Sequence, residues 1–233
     1  MGYLPIFLDV DRRRCLVIGS GKLAEAKVRA LLEADALVTV VSHQASDAIK
    51  FQAAGGKIRH IAREYEYGDL RGAALVYVAT SNPEIVRCVA QEARELGIPL
   101  NIADNPASST FISPATFKRG DLQIAISTGG SSPAMARMLR ERLEQQFGPG
   151  YALILAIMRR ARHFLRSREA DQSARALILK SLAQTLLDLA ETLDNTLIDE
   201  ALRLHLGADM AELGFDMQKL QANRLAGLSP GDN

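Results

Sequence analysis

At 233 residues, with 48% hydrophobic side chains, the chain is long enough to bury a full core in one large domain or two small ones. A net charge of +1 excludes a generally basic nucleic-acid binder and a strongly acidic, disordered chain. Two cysteines, Cys15 and Cys88, are too few for a cysteine metal cluster and read as small buried hydrophobes, while the lack of a bilayer-length apolar run and of a charged n-region after Met1 points to a cytoplasmic protein with no membrane partner.

The first predicted element is a strand at 15–18 that breaks into Gly19-Ser20-Gly21-Lys22-Leu23-Ala24 and runs on as a helix to about Ala34. Strand, tight turn and helix with G-x-G-x-x-A spacing form a dinucleotide-binding pattern. Gly19 lets the chain reverse, Gly21 lets the backbone approach a pyrophosphate, and small Ala24 packs the helix on the strand. The amides and positive dipole end of the helix then face the anion.

A second strand is predicted at 36–41, a short helix at 46–54 capped by Ser46, and a third strand at 57–61. A buried strand at 75–79 precedes Asn82 as N-cap, Pro83 at the first helical position, and an amphipathic helix to Leu96 that Gly97 stops. A strand at 99–103 completes an alternation proper to a doubly wound parallel sheet. Ligands of such sheets bind beyond the strand C-termini, which are marked here by Gly19, Ser42, Thr80 and Asp104.

Beyond Ser113 the pattern changes to two strands, 111–117 and 122–127, joined by Lys118-Arg119-Gly120-Asp121. A loop, Thr128 to Ser132, then leads into a helix at 133–146 with Pro133 at its start. After Gly148-Pro149-Gly150 the periodicity is helical, over 151–165 and 174–193, and residues 225–233 read as a disordered tail.

Several residues carry two readings. A site for NAD normally has an acid at the end of the second strand, where this chain has Ser42-His43-Gln44; His43 and Lys22 are either exposed polar residues or adenosine contacts tolerant of a 2′-phosphate. Asp104 is either a turn former before Asn105-Pro106 or a carboxylate placed to take a proton beside a nicotinamide. Ser127-Thr128-Gly129-Gly130 is a linker or an anion cradle. The run Arg159, Arg160, Arg162, His163, Arg166 and Arg168 is a solvated helix face or an attractor for a polyanion.

Taken together, Tyr3-Leu4-Pro5-Ile6-Phe7-Leu8, the glycine turn with Lys27, Asn101 to Asp104, Phe111-Ile112-Ser113-Pro114-Ala115 and the block from Ile124 to Pro133 resemble the precorrin-2 dehydrogenase and sirohydrochlorin ferrochelatase family, which includes the N-terminal module of siroheme synthase. The resemblance runs in order from Tyr3 to about Glu144. It implies an α/β, Rossmann-like NAD-binding domain at 1–112, a small α+β dimerisation region at 113–148 and a C-terminal helical region at 149–224. The implied enzyme is a homodimer that oxidises precorrin-2 to sirohydrochlorin with NAD⁺ and then inserts Fe²⁺, a substrate rather than a bound cofactor.

Carried over by the resemblance, Asp104 is the general base. Gly19, Ser20, Gly21, Lys22, Leu23, Ser42, His43, Gln44 and Thr80 contact the cofactor, and Asn101, Ser127, Thr128, Gly129 and Gly130 contact the tetrapyrrole. No resident metal site and no nucleic-acid partner are expected. Ser20 stands where the family has a second glycine, and Thr128 where it has a second serine. Since no methyltransferase segment follows in the sequence, a separate uroporphyrinogen methyltransferase is expected upstream. The alternatives are a dehydrogenase without chelatase activity, and a non-catalytic dinucleotide sensor.

Overall fold

Runs of β-branched and aliphatic residues, too short and too apolar for a half-exposed strand, form a parallel sheet covered on both faces. A computed structural model describes residues 2–216, which divide at Ser113/Pro114 into two units. In the first, the elements are β1 (Arg14–Ile18), α1 (Lys22–Leu32), β2 (Leu37–Val41), α2 (Asp47–Ala54), β3 (Ile58–Ile61), β4 (Leu75–Val78), α3 (Pro83–Leu96) and β5 (Leu100–Ile102). The strands lie in the order β3-β2-β1-β4-β5, and every pairing is parallel.

Alternation along β1 assigns the two faces. Cys15 and Val17 pack with Ala24, Val28 and Leu31 of α1, whereas Leu16 and Ile18 pack with Val89 and Ala93 of α3. This is the Rossmann-like α/β arrangement expected. Burial pushes the Cys15 thiol up to about 11, which keeps it protonated and unreactive. Cys88 departs from expectation: on α3 it is only partly buried.

The expected helix punctuation is present. The Ser46 hydroxyl accepts from the Ile49 amide, Asn82 Oδ1 accepts from the Glu84 and Ile85 amides, and Gly97 ends α3 in the left-handed region at φ +65°. Between β3 and β4 the chain crosses without a helix. Arg63 grips Asp69 through two 2.8 Å bonds, and Arg14 donates to the Asp69 and Arg71 carbonyls at 2.9 and 2.6 Å. Tyr65 and the Leu70 amide both donate to Glu92, which is 1% exposed.

The second unit begins with an antiparallel hairpin, β6 (Ala115–Arg119) and β7 (Leu122–Ile126), closed by Gly120-Asp121. The predicted first strand thus starts too early and ends too soon. Phe111 instead packs edge-on against Tyr77 at 5.5 Å, in the first unit, and Pro114, lacking an amide hydrogen, marks the break. Lys118 and Arg119, expected in the turn, pair with Gln123 and Leu122.

Helices α4 (Pro133–Gln146), α5 (Gly150–Arg168), α6 (Gln172–Asp188) and α7 (Asn195–Leu206) follow. Leu153, Ile157, Leu182, Leu186, Ile198 and Leu202 form the centre of their core. A Cβ on Gly150 would run into the Ala190 carbonyl oxygen, so only glycine lets α5 begin so close to the end of α6. Residues 217–224 of the expected helical region, and the expected tail at 225–233, lie outside the described residues.

Candidate functional site

The sheet's C-terminal edge is shaped by backbone constraints at the first turn. Gly19 takes φ +116°, its amide donates to the Val41 carbonyl at 2.9 Å, and a Cβ there would fall 2.8 Å from the Ala79 carbonyl carbon. No other residue fits without moving β4. Two residues on, Gly21 is the N-cap of α1 and supplies no side-chain cap; a Cβ there would meet nothing within 4 Å. The first-turn amides of α1 therefore open onto free space. That is the arrangement in which a helix N-terminus receives a phosphate.

A groove of about 400 Å³ lies in front of this turn. It brings together Gly19, Ser20 and Gly21 with Ser42, His43 and Gln44 after β2 and Thr80 after β4. Ser42 is buried and held by His60, whose Nε2 lies 3.1 Å from both its hydroxyl and its carbonyl oxygen. The Thr80 hydroxyl accepts from the Asn82 amide at 3.2 Å, stiffening the next β–α turn. His43 and Gln44 are exposed and make no side-chain hydrogen bond among the described residues. Lys22 and Leu23 lie outside the groove lining, on the exposed first turn of α1.

Sequence reasoning missed Glu64, Tyr65, Ser81 and Ile85, which also line the groove. Glu64 and Tyr65 lie in the irregular crossing after β3, so no periodicity marks them. Tyr65 is fixed by donation to buried Glu92, and burial together with that carboxylate pushes its phenol well above its ordinary range.

Asp104 does not line the groove. It follows β5, one strand beyond β4, directly after Ala103, whose amide donates to the Val78 carbonyl at 2.9 Å. Asp104 is exposed, sits at φ +56° and has no hydrogen-bond or ion-pair partner among the described residues. Such a backbone is unusual for a residue with a side chain, and Asp and Asn tolerate it best. Asn101 is already engaged: its amide donates to the Phe111 carbonyl at 3.0 Å.

On α1, Lys27 donates to the Ser113 hydroxyl at 3.0 Å and lies 4.9 Å over the Tyr77 ring. Burial lowers its pKa. In the second unit, the Ser127 hydroxyl accepts from the Gly129 amide at 3.0 Å, and the Thr128 hydroxyl bonds both the amide and the carbonyl of Ser132 at 3.1 Å. Those hydroxyls close the loop on itself, while Gly129 and Gly130 remain exposed. Among the described residues no group of three or more His, Cys, Asp or Glu is placed to hold a metal ion, and no helix is long and apolar enough to cross a membrane.

Residues 6–115 match the family described as putative NAD(P)-binding, and residues 119–146 match the family described as sirohaem biosynthesis protein central. Over 184 residues the chain is 38% identical to the siroheme synthase of Methylobacillus flagellatus, covering 79% of this chain and 39% of that protein. Over 232 residues it is 34% identical to the siroheme synthase of Azotobacter vinelandii, covering 100% of this chain and 49% of that protein. The chain thus carries segments matching both families in order, and is similar in sequence to siroheme synthases. It spans less than half the length of these curated relatives. A solved structure described as SirC, precorrin-2 dehydrogenase, superposes with a TM-score of 0.66 at 23% identity, over 82% of this chain and 100% of that one, and so shares the fold.

The groove in front of α1 lies within the segment that matches the putative NAD(P)-binding family, and is the candidate site for a nicotinamide dinucleotide. The uncapped amides, the missing Cβ at Gly21 and the neighbouring hydroxyls suit a pyrophosphate flanked by two ribosyl groups.

Proposed function

We propose that this chain oxidises precorrin-2 to sirohydrochlorin with NAD⁺ and then inserts Fe²⁺, acting as a cytoplasmic homodimer. In this reading residues 1–112 hold the dinucleotide, 113–148 pair the subunits and 149–224 form the helical region. The names of the siroheme synthase relatives and of the precorrin-2 dehydrogenase structure support the substrate class. The observation that carries the reading is a carboxylate without a partner among the described residues, Asp104, at the end of the strand next to an open glycine-turn groove on one sheet edge.

When bound, the nicotinamide supplies a hydride acceptor. Removing a hydride from a saturated carbon of the macrocycle leaves a proton on its neighbour, and Asp104 takes that proton. With no ion pair to break among the described residues, the side chain meets the substrate directly. Metal insertion expels two pyrrole N–H protons, which the same carboxylate accepts in turn before passing them to water. Gly19 and Gly21 hold the pyrophosphate, while Ser42, His43, Gln44 and Thr80 flank the adenosine and the second ribose. Lys22 and Leu23 contribute through their backbone amides, which belong to the first turn of α1.

Glu64 bears on the choice of cofactor. The acid absent from the end of β2 has a counterpart in this exposed carboxylate, contributed to the same groove from beyond β3. A negative charge there repels a 2′-phosphate and favours NAD⁺ over NADP⁺. On the substrate side, the loop that Ser127 and Thr128 close presents Gly129 and Gly130 to macrocycle carboxylates, while Asn101 steadies the end of β5 before Asp104 through the Phe111 carbonyl. Pairing of subunits is supported by the two-stranded β6–β7 hairpin, marginal in isolation, and by Met135 and Met138 of α4, which are 51% and 65% exposed. A methyltransferase step supplies precorrin-2.

The test is anaerobic turnover of precorrin-2 with NAD⁺, followed by absorbance, and then addition of Fe²⁺. Asp104→Ala is expected to lower kcat by about 10²–10⁴ while leaving NAD⁺ affinity unchanged. Oxidation at the wild-type rate by that variant removes Asp104 from the chemistry. Iron insertion no faster than in buffer alone leaves a dehydrogenase without chelatase activity, and NAD⁺ binding without turnover leaves a sensor.

A further inference from the structure

The basic run along α5 is not one surface. Arg159 pairs with Asp121 at 3.3 Å, Arg160 donates to the Leu213 carbonyl and covers the Phe215 ring at 3.9 Å, and Arg168 lies 4.1 Å over the Phe164 ring. Arg162, His163 and Arg166 are left without a partner among the described residues, and of these Arg162 and Arg166 lie one turn apart on the same face. Together with Gln172, Arg175, Ala176 and Leu179 of α6 they line a cavity of about 330 Å³. Arg175, absent from the α5 run, is anchored by donation to the Glu169 and Ala170 carbonyls.

Nothing in the lining offsets this charge. The acids nearest in sequence are committed elsewhere: Glu169 accepts from the Asp171 amide at 2.9 Å, and Asp171 caps α6 through the Ser173 and Ala174 amides. Two like charges at i and i+4 destabilise a helix, and a bound anion reverses that cost. Guanidinium forks match carboxylates in pairs of parallel hydrogen bonds. Ala176 and Leu179 give the opposite side an apolar surface against which a carbon skeleton rests.

We propose that the α5–α6 cavity is a binding site for a compound bearing two or more carboxylates. Its size admits a small tricarboxylic acid whole, or one carboxylate-bearing edge of a larger ring. The second source rests on the function proposed above, whereas the first does not.

Calorimetric titration of the full chain with tricarballylate tests the site, with phosphate at matched ionic strength as the contrasting probe. Saturable tricarballylate binding is expected, with phosphate weaker. Arg162→Gln with Arg166→Gln is expected to weaken binding at least about tenfold, while Arg142→Gln, an exposed arginine of α4, leaves it unchanged. The pair Arg162→Lys and Arg166→Lys keeps the charge but loses the forks; it is expected to weaken binding as well, and provides the test should the glutamine pair fail to fold. Sirohydrochlorin binding followed by absorbance separates the sources: competition with tricarballylate identifies the ring's carboxylates as the occupant, and independent binding identifies a free acid. Failure of tricarballylate to saturate, phosphate binding as tightly, or equal weakening by Arg142→Gln overturns the proposal.

Discussion

Two β–α turns of the same sheet are built in opposite ways. After β4, the Asn82 side chain caps α3 and Pro83 fills its first position, so the helix satisfies its own amides. After β1, Gly21 caps α1 with nothing, and the space before it is open. The closed turn contributes stability; the open one leaves that contribution to a ligand. A protein that needed only to fold gains nothing from the second arrangement.

The comparison breaks most sharply at Gly19. Gly19→Ala places a methyl group against the Ala79 carbonyl at a φ that penalises any side chain, so a loss of about 3 kcal/mol in denaturant stability and of measurable NAD⁺ binding is expected. Gly21→Asp converts the open turn into a capped one. Its melting temperature is expected to rise while NAD⁺ affinity falls more than about tenfold, readable by thermal melting and cofactor titration. Asn82→Ala does the reverse to the closed turn: about 1 kcal/mol of stability is lost and cofactor affinity is kept. Equal loss of affinity at Asn82 and Gly21 would erase the distinction between the turns.

A smaller effect concerns the wall that carries Glu64 and Tyr65. Its anchor, Asp69, is held below the ordinary carboxylate range by the Arg63 guanidinium beside it. Because the folded pKa is the lower one, this contribution is full above about pH 4 and disappears as the pH falls through the depressed value. Asp69→Asn is therefore expected to lower stability by about 1 kcal/mol at neutral pH and by progressively less in acid, as urea melts at several pH values would report.

What the sequence discloses depends on how local the cause is. Ser46, Asn82-Pro83 and Gly97 act within a few residues, and each lies where the pattern predicts. Phe111 is misleading because its apolar side chain serves Tyr77, far away in sequence, rather than the strand that follows. Glu64 and Tyr65 carry no signal at all, since only the β2–β3 pairing brings their loop to the groove. The α5 basic run illustrates both cases: its spacing shows a charged face, but the separation of Arg162 and Arg166 from their neighbours, and the arrival of Arg175 from α6, follow from helix packing.

The left-handed backbone at Asp104 also constrains what can replace it. Asp and Asn adopt that geometry more readily than longer side chains, whereas glutamate does not and also extends a methylene further from the strand end. Chemically, the two acids are near equals; conformationally, the main chain acts as a sieve that admits the shorter. Exchange for glutamate would thus displace the carboxyl group and strain the turn at once, so conservation of charge alone does not preserve this corner of the molecule.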